Sequence, residues 1–315
     1  MNKNLKPILS VCMITYNHEA YVFQSIEGIL KQKTNFKYEL VIGEDCSTDF
    51  TRKICEEYAQ KYPEIINLLP SEKNLGICHN FIRTLNACTG QYIAICEGDD
   101  YWTDSLKIQK QVDFLDTNPD YAIVATDITL VDKESKNLEN NSMTLANRTF
   151  QNPNISFFDL LNTNILYTLT VCVRASIMKE LSNEVSVKNL WFTIDKWFWL
   201  NIAIDHKIGL IFEKTAAYRI HPEGASRIDG FLAHRSPLIY YDVIRKFVDS
   251  GRLSGIDYNN LSIIANSYFN LFSSKKIRLP KKIRLLKDLL LNPRLSICVF
   301  KIVIKKVLRK FKIEF

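Results

Sequence analysis

The sequence predicts an α/β protein with a mostly parallel central sheet, followed by a helical C-terminal region. Short β-type apolar runs alternate with stretches of helical periodicity from residue 8 to residue 100. Those runs end in polar or acidic residues, most visibly Glu97-Gly98-Asp99-Asp100. Beyond residue 230 the glycines thin to Gly251 and Gly255 and the pattern turns helical. The expected division is therefore a domain over 1–229, in halves 1–115 and 116–229, and a helical, basic, amphipathic region over 230–315.

The elements follow in order. Residues 8–15 form a β-type run after Pro7, and residues 20–31 resume at helical spacing with Phe23, Ile26, Ile29 and Leu30. Residues 38–43 read as a second strand. Ser47, Thr48 and Asp49 offer caps for a helix that Pro63 stops. A third strand spans 65–69, and Asn74-Leu75-Gly76 turns into a helix carrying Phe81, Ile82 and Leu85. Ile93-Ala94-Ile95-Cys96 has the unbroken apolarity of a buried parallel strand. Asp104 caps a helix to about 118, one or two strands span 121–131, and residues 132–153 are polar and loop-like. Residues 169–173, 208–212 and 215–219 are strand-like, and 189–205 groups Trp191, Trp197 and Trp199 around Asp195.

Charge and cysteines bound the setting. The net charge is +7, yet residues 275–315 hold 14 Lys or Arg against Asp288 and Glu314, a local +12. The rest therefore carries 7 − 12 = −5, which is not the profile of a nucleic-acid-binding core. Eight cysteines without a CxxC pair favour a reducing compartment. No apolar leader precedes the first strand and no run of 18 apolar residues occurs, so a cytoplasmic protein is expected.

Ligands of open α/β sheets sit outside the carboxyl ends of the strands. Glu97, Asp99 and Asp100 fall at such an end, and Gly98 would let a phosphate or sugar approach the backbone. Two carboxylates 4 Å apart repel by about 4 kcal/mol at an effective dielectric near 20. A divalent cation, Mg²⁺ or Mn²⁺, removes that repulsion. A solvated acidic turn that caps the next helix is the plainer alternative. Tyr16 alone reads equally as a half-buried aromatic, and Asp45 as a helix-capping acid.

Taken in order, Thr15-Tyr16-Asn17, Val41-Ile42-Gly43-Glu44-Asp45-Cys46-Ser47-Thr48-Asp49, Asn74-Leu75-Gly76 and Cys96-Glu97-Gly98-Asp99-Asp100-Tyr101-Trp102 resemble the nucleotide-sugar-binding half of family 2 glycosyltransferases, which have the GT-A fold. The resemblance covers roughly 7–227, is densest over 8–115, and is closest to the bacterial branch that builds surface polysaccharides. It implies an inverting, metal-dependent transfer from a nucleotide-diphospho-sugar, with UDP the expected nucleotide, to a glycan or lipid-linked acceptor. The donor would contact Thr15, Tyr16, Asn17, Glu19, Asp45, Glu97, Gly98 and Asp99. Within that set Tyr16 stacks on the base, Asp45 meets the base edge and Glu97 touches the ribose. Glu97 stands where the family more often has Asp. Asp99 would hold Mn²⁺ or Mg²⁺, with His221 as a further metal or phosphate contact. Asp195-Lys196-Trp197 resembles the family's helix start bearing the catalytic base.

Two rivals remain at this level. A sugar-phosphate nucleotidyltransferase would carry a glycine- and lysine/arginine-rich loop after the first strand, and Tyr16-Asn17-His18-Glu19 is not one. A non-catalytic nucleotide-sugar-binding module is the other. In the tail, Ile297, Val299, Phe300, Ile302, Val303, Ile304, Val307, Leu308 and Phe311 alternate with basic residues. This predicts an amphipathic helix lying on an anionic membrane, and a peripheral location on the inner face of the cell membrane. A chain ended near residue 291 is expected to lose that attachment.

Overall fold

A computed structural model describes residues 6–138, 153–162, 165–184, 194–224, 237–252, 256–274 and 277–310. Strand β1 (Leu9–Thr15) is buried over nearly its whole length and is followed by helix α1 (Val22–Leu30). That helix buries Val22, Ser25, Ile26, Gly28 and Ile29, while Phe23, expected on its apolar face, is exposed. A Cβ at Gly28 would meet the backbone of Trp102, so glycine there sets the closeness of approach.

The alternation continues through β2 (Tyr38–Glu44), α2 (Thr51–Lys61), β3 (Ile66–Leu68), α3 (Ile77–Ala87) and β4 (Tyr92–Ile95). A two-residue strand β5 (Tyr101–Trp102) precedes α4 (Lys107–Thr117). Next come β6 (Tyr121–Val131), β7 (Asn154–Ile155), α5 (Phe157–Asn162), a 3-10 turn (Thr168–Thr170), β8 (Cys172–Arg174), α6 (Ala175–Glu184), α7 (Ile194–Asp205) and β9 (Lys207–Arg219). Residues 139–152 of the expected loop and Trp191 lie outside the described residues.

The sheet runs β3-β2-β1-β4-β8-β6-β9-β5, with β7 on β9. Its first four strands are parallel, as the helix crossovers between them require. At β8 the pairing becomes antiparallel, to β4 on one side and to β6 on the other. The two strands expected over 208–219 are two paired stretches of β9. Between Ala125↔Leu210 and Asp127↔Lys214 the partner β6 advances two residues while β9 advances four, and exposed Phe212 bulges out there.

Register sets the site. Thr15 pairs with Glu44, and Cys12 with Ile95, so the loops after β1, β2 and β4 emerge at one end of the sheet. Tyr101 pairs antiparallel with Ala217, which carries Arg219 alongside Asp99.

The chain divides into two compact units, 1–160 with 164–234, and 161–163 with 235–315. The second holds α8 (Pro237–Asp249), α9 (Tyr258–Ser273), α10 (Leu279–Leu291) and α11 (Pro293–Lys310). Ile244, Leu261, Ile264, Tyr268, Leu285, Leu295 and Cys298 are buried within it. Among the described residues no helix is long and apolar enough to cross a membrane.

Candidate active site

The loops after β1 and β2 are tied to each other. Asn17, with φ at 54°, donates its backbone N–H to Ser47 Oγ at 3.0 Å, and its Oδ1 accepts from Thr48 N at 2.9 Å. Glu19 N donates to Asp49 Oδ2 at 3.0 Å, and Glu19 Oε2 accepts from Phe50 N at 2.9 Å. These side chains, expected at the donor, have their acceptors engaged in a clamp between two loops.

Asp45 is buried, and its two oxygens accept from Leu75 N at 2.8 Å and Gly76 N at 2.9 Å. It holds the turn into α3. Thr15 is buried with its hydroxyl 3.2 Å from His18 Nδ1. Tyr16 offers an exposed aromatic surface, 41%.

The acidic turn is built differently. Gly98 N donates to Ile14 O at 3.0 Å, and Ser25 Oγ donates to Gly98 O at 3.0 Å and to Asp100 O. A Cβ at Gly98 would run into the Thr15 side chain and crowd His18. The Thr15 side chain occupies the space a Cβ would need, so the glycine lets the turn pack on β1. Asp100 turns inward, its Oδ1 accepting from Arg219 N at 2.8 Å. Burial, with Asp99 and Glu97 nearby, pushes its carboxyl well above the usual range.

Asp99 points to the convergence point. Its Oδ2 lies 3.1 Å from His221 Nε2 and 3.8 Å from His18 Nε2. Burial opposes its ionisation, yet His18 and the His221 hydrogen bond outweigh that and hold its carboxyl below the usual range. Reciprocally, the hydrogen bond to Asp99 raises His221 despite its burial. His221 Nδ1 lies 3.3 Å from Glu223 Oε2, and its ring centroid 4.9 Å from that of Tyr21.

Glu97 has an Oε2 without a hydrogen-bond partner. Burial, then the charges of Asp99 and Asp195, push its carboxyl up to about 8, against a hydrogen bond with Thr168. That influence brings Asp195, in the first turn of α7, into the same neighbourhood. Asp195 is itself raised by burial, partly offset by Lys196.

Two residues of this group were missed in the sequence. His18 follows a strand end by three positions, and Arg219 is the last residue of β9, a strand that also carries Lys207 and Lys214. Arg219 Nε donates to Asp99 O at 2.9 Å and Nη2 to Gln24 Oε1 at 2.7 Å. Nη1 reaches Lys133 O at 3.1 Å and Ser135 Oγ at 3.0 Å, and the guanidinium lies 4.6 Å from the Tyr21 ring centroid. It joins four segments around the acidic turn.

Among the described residues no group of three or more His, Cys, Asp or Glu forms a ready cation cage. Asp99 Oδ2 and His221 Nε2 instead supply one oxygen and one nitrogen at a common point. Such a partial set fits Mg²⁺ or Mn²⁺ that completes its shell with substrate phosphates and water.

Residues 10–182 match the family described as Glycosyl transferase family 2, a span from β1 into α6; Asp195 and His221 lie beyond it. An uncharacterised protein of Mycobacterium tuberculosis is 32% identical over 216 residues, 69% of this chain and 60% of that protein. The chain thus spans under two thirds of that relative. A Bacillus subtilis protein named as a teichuronic acid biosynthesis glycosyltransferase, TuaG, is 27% identical over 205 residues, 63% of this chain and 73% of its own. The fold is shared with S. aureus TarS 1-349 in complex with UDP-GlcNAc, at TM-score 0.59 and 21% identity over 94% of this chain and 84% of that one. It is shared too with the mannosyltransferase PcManGT from Pyrobaculum calidifontis in complex with GDP-Man and Mn²⁺, at TM-score 0.52 and 14% identity over 96% and 81%. With more than half its length matched, this chain belongs to glycosyl transferase family 2.

Proposed function

We propose that this protein transfers a sugar from a nucleotide-diphospho-sugar, UDP-linked, to a hydroxyl of a glycan or lipid-linked acceptor with inversion at the anomeric carbon. The carrying observation is that Asp99 Oδ2 and His221 Nε2 meet at 3.1 Å at the strand ends, with Glu97 and Asp195 in the same neighbourhood. The nucleotide sugars and Mn²⁺ held by the two structural neighbours support the donor class and the cation. TuaG supports a place in bacterial surface polysaccharide synthesis, of capsule, O-antigen or lipopolysaccharide type.

Asp99 and His221 would hold Mn²⁺ or Mg²⁺, which supplies positive charge against the leaving diphosphate. The chain's own groups do the rest. Tyr16 presents an aromatic face to the base, and Glu97 Oε2, buried without a hydrogen-bond partner, would engage a ribose hydroxyl. Asp195 takes the proton of the acceptor hydroxyl as that oxygen bonds to the anomeric carbon from the face opposite the nucleotide. The bond from that carbon to the phosphate oxygen breaks, and its electron pair leaves on the diphosphate. Burial makes Asp195 a stronger base than an ordinary aspartate. The enzyme would work in the cytoplasm, on the inner face of the cell membrane, attached through its basic C-terminal region.

The test is turnover of radiolabelled nucleotide sugars by the purified chain, with divalent cation and with EDTA. Transfer or slow donor hydrolysis that stops in EDTA is expected. Nucleotide-sugar binding without turnover on any donor would make the chain a binding module instead.

A further inference from the structure

We infer that one face of α10 is the membrane-docking surface of this chain, a face carried by Leu279, Ile283, Leu286 and Leu290. This deepens the membrane attachment proposed above and relocates it from the tail helix alone. The four residues recur at i, i+4, i+7 and i+11, one narrow stripe of an α-helix. They are 70%, 46%, 44% and 82% exposed, whereas the other side of the helix buries Leu285.

The helix cannot roll this stripe inward without loss. Asp288 Oδ2 accepts from Tyr268 OH at 2.9 Å and pairs with Arg245. Lys281 Nζ lies 3.3 Å from Asp242 Oδ1, and Arg284 Nη2 lies 3.7 Å from Asp249 Oδ2. On α11, Leu295 and Cys298 are buried while Ile297, Phe300 and Ile304 are exposed. One side of that helix therefore packs within the helical unit while another stays exposed. The side chains of Val307 and Leu308, and Phe311, lie outside the described residues.

Charge decides the occupant. Residues 275–315 hold 14 Lys or Arg against two acids, and Lys287 on α10 and Arg278 at its N-cap are exposed. Two copies meeting stripe to stripe would bring these cations together. A nucleic acid would use the cations but not the four apolar side chains. An anionic membrane uses both: long-range attraction for the basic residues and insertion for the apolar ones. Because the stripe lies on α10, a chain ended at residue 291 should keep part of its membrane binding, contrary to the expectation from sequence.

The experiment is sedimentation of the full chain with vesicles of phosphatidylglycerol and phosphatidylcholine, without donor or acceptor, so its failure leaves the transfer reading untouched. The triple variant Ile283→Gln/Leu286→Gln/Leu290→Gln should partition at least about tenfold less. Lys282→Gln/Lys287→Gln should weaken binding to the anionic vesicles and leave any binding to pure phosphatidylcholine unchanged. Equal sedimentation of wild type and triple variant overturns the proposal. So does a triple variant that turns an oligomer into a monomer with vesicle binding intact, which would make the stripe a contact between copies. Should the triple variant not fold, an environment-sensitive fluorophore on Leu290→Cys, with labelled wild type as background, gives the same answer. Its emission should shift blue on adding anionic vesicles, and an unchanged spectrum overturns the assignment.

Discussion

At one end of the sheet, the loops after β1 and β2 direct their acceptors at each other, while those after β4 and β9 aim theirs at a shared point. Asn17, Glu19 and Asp45 each accept a backbone N–H from a neighbouring loop. Asp99 instead faces two imidazoles, and Glu97 keeps an oxygen without a partner. Both clusters look alike as polar residues at strand ends. They differ in their partners: the clamp acceptors are met by backbone donors of neighbouring loops, whereas Asp99 is met by imidazoles and Glu97 Oε2 by no hydrogen-bond donor. The four substitutions below sharpen or break that contrast.

Asp99→Asn should abolish transfer with little change in melting temperature, because the amide loses the charge but keeps the shape. Activity surviving in that variant would remove Asp99 from the reaction. Asp195→Asn should lower turnover by about 10²–10⁴, the range for a lost general base, with donor affinity nearly unchanged. If donor affinity falls instead, Asp195 has a structural duty at the start of α7.

On the clamp side, only the exposed Tyr16 should matter for the donor. Tyr16→Ala is expected to weaken nucleotide binding by about 1–3 kcal/mol in calorimetry, the usual cost of a lost stacking platform. Glu19→Ala removes the acceptor of Phe50 N and should cost about 1 kcal/mol of stability in a denaturant melt. Its nucleotide affinity should stay as in wild type. A loss of affinity without a loss of stability would return Glu19 to the donor site.

The contrast also explains what was legible in the sequence. The strands of β1, β2 and β4 are short apolar runs bounded by turn residues, so periodicity found them and their order implied a parallel sheet. The antiparallel half was harder. Strand β5 is two residues hidden in the acidic motif, and β8 is three residues after a 3-10 turn, too short to show a period. Asp99 stood out because its carboxylate neighbours repel. Its support did not: Arg219 reaches Asp99 across 120 residues and only through the β5–β9 register, and His18 looked like an ordinary loop residue. The packing reason for Gly98 is not legible in the sequence, since the Thr15 side chain beside it belongs to a neighbouring strand.

Cation-dependent nucleotide-sugar binding at Asp99 and His221 is the centre of this account, and calorimetric titration of UDP-GlcNAc into wild type and His221→Ala, each with and without Mn²⁺, tests it most directly. The account predicts tight binding only for wild type with Mn²⁺, and weak, cation-independent binding for the variant. Equal affinity in all four titrations would contradict it.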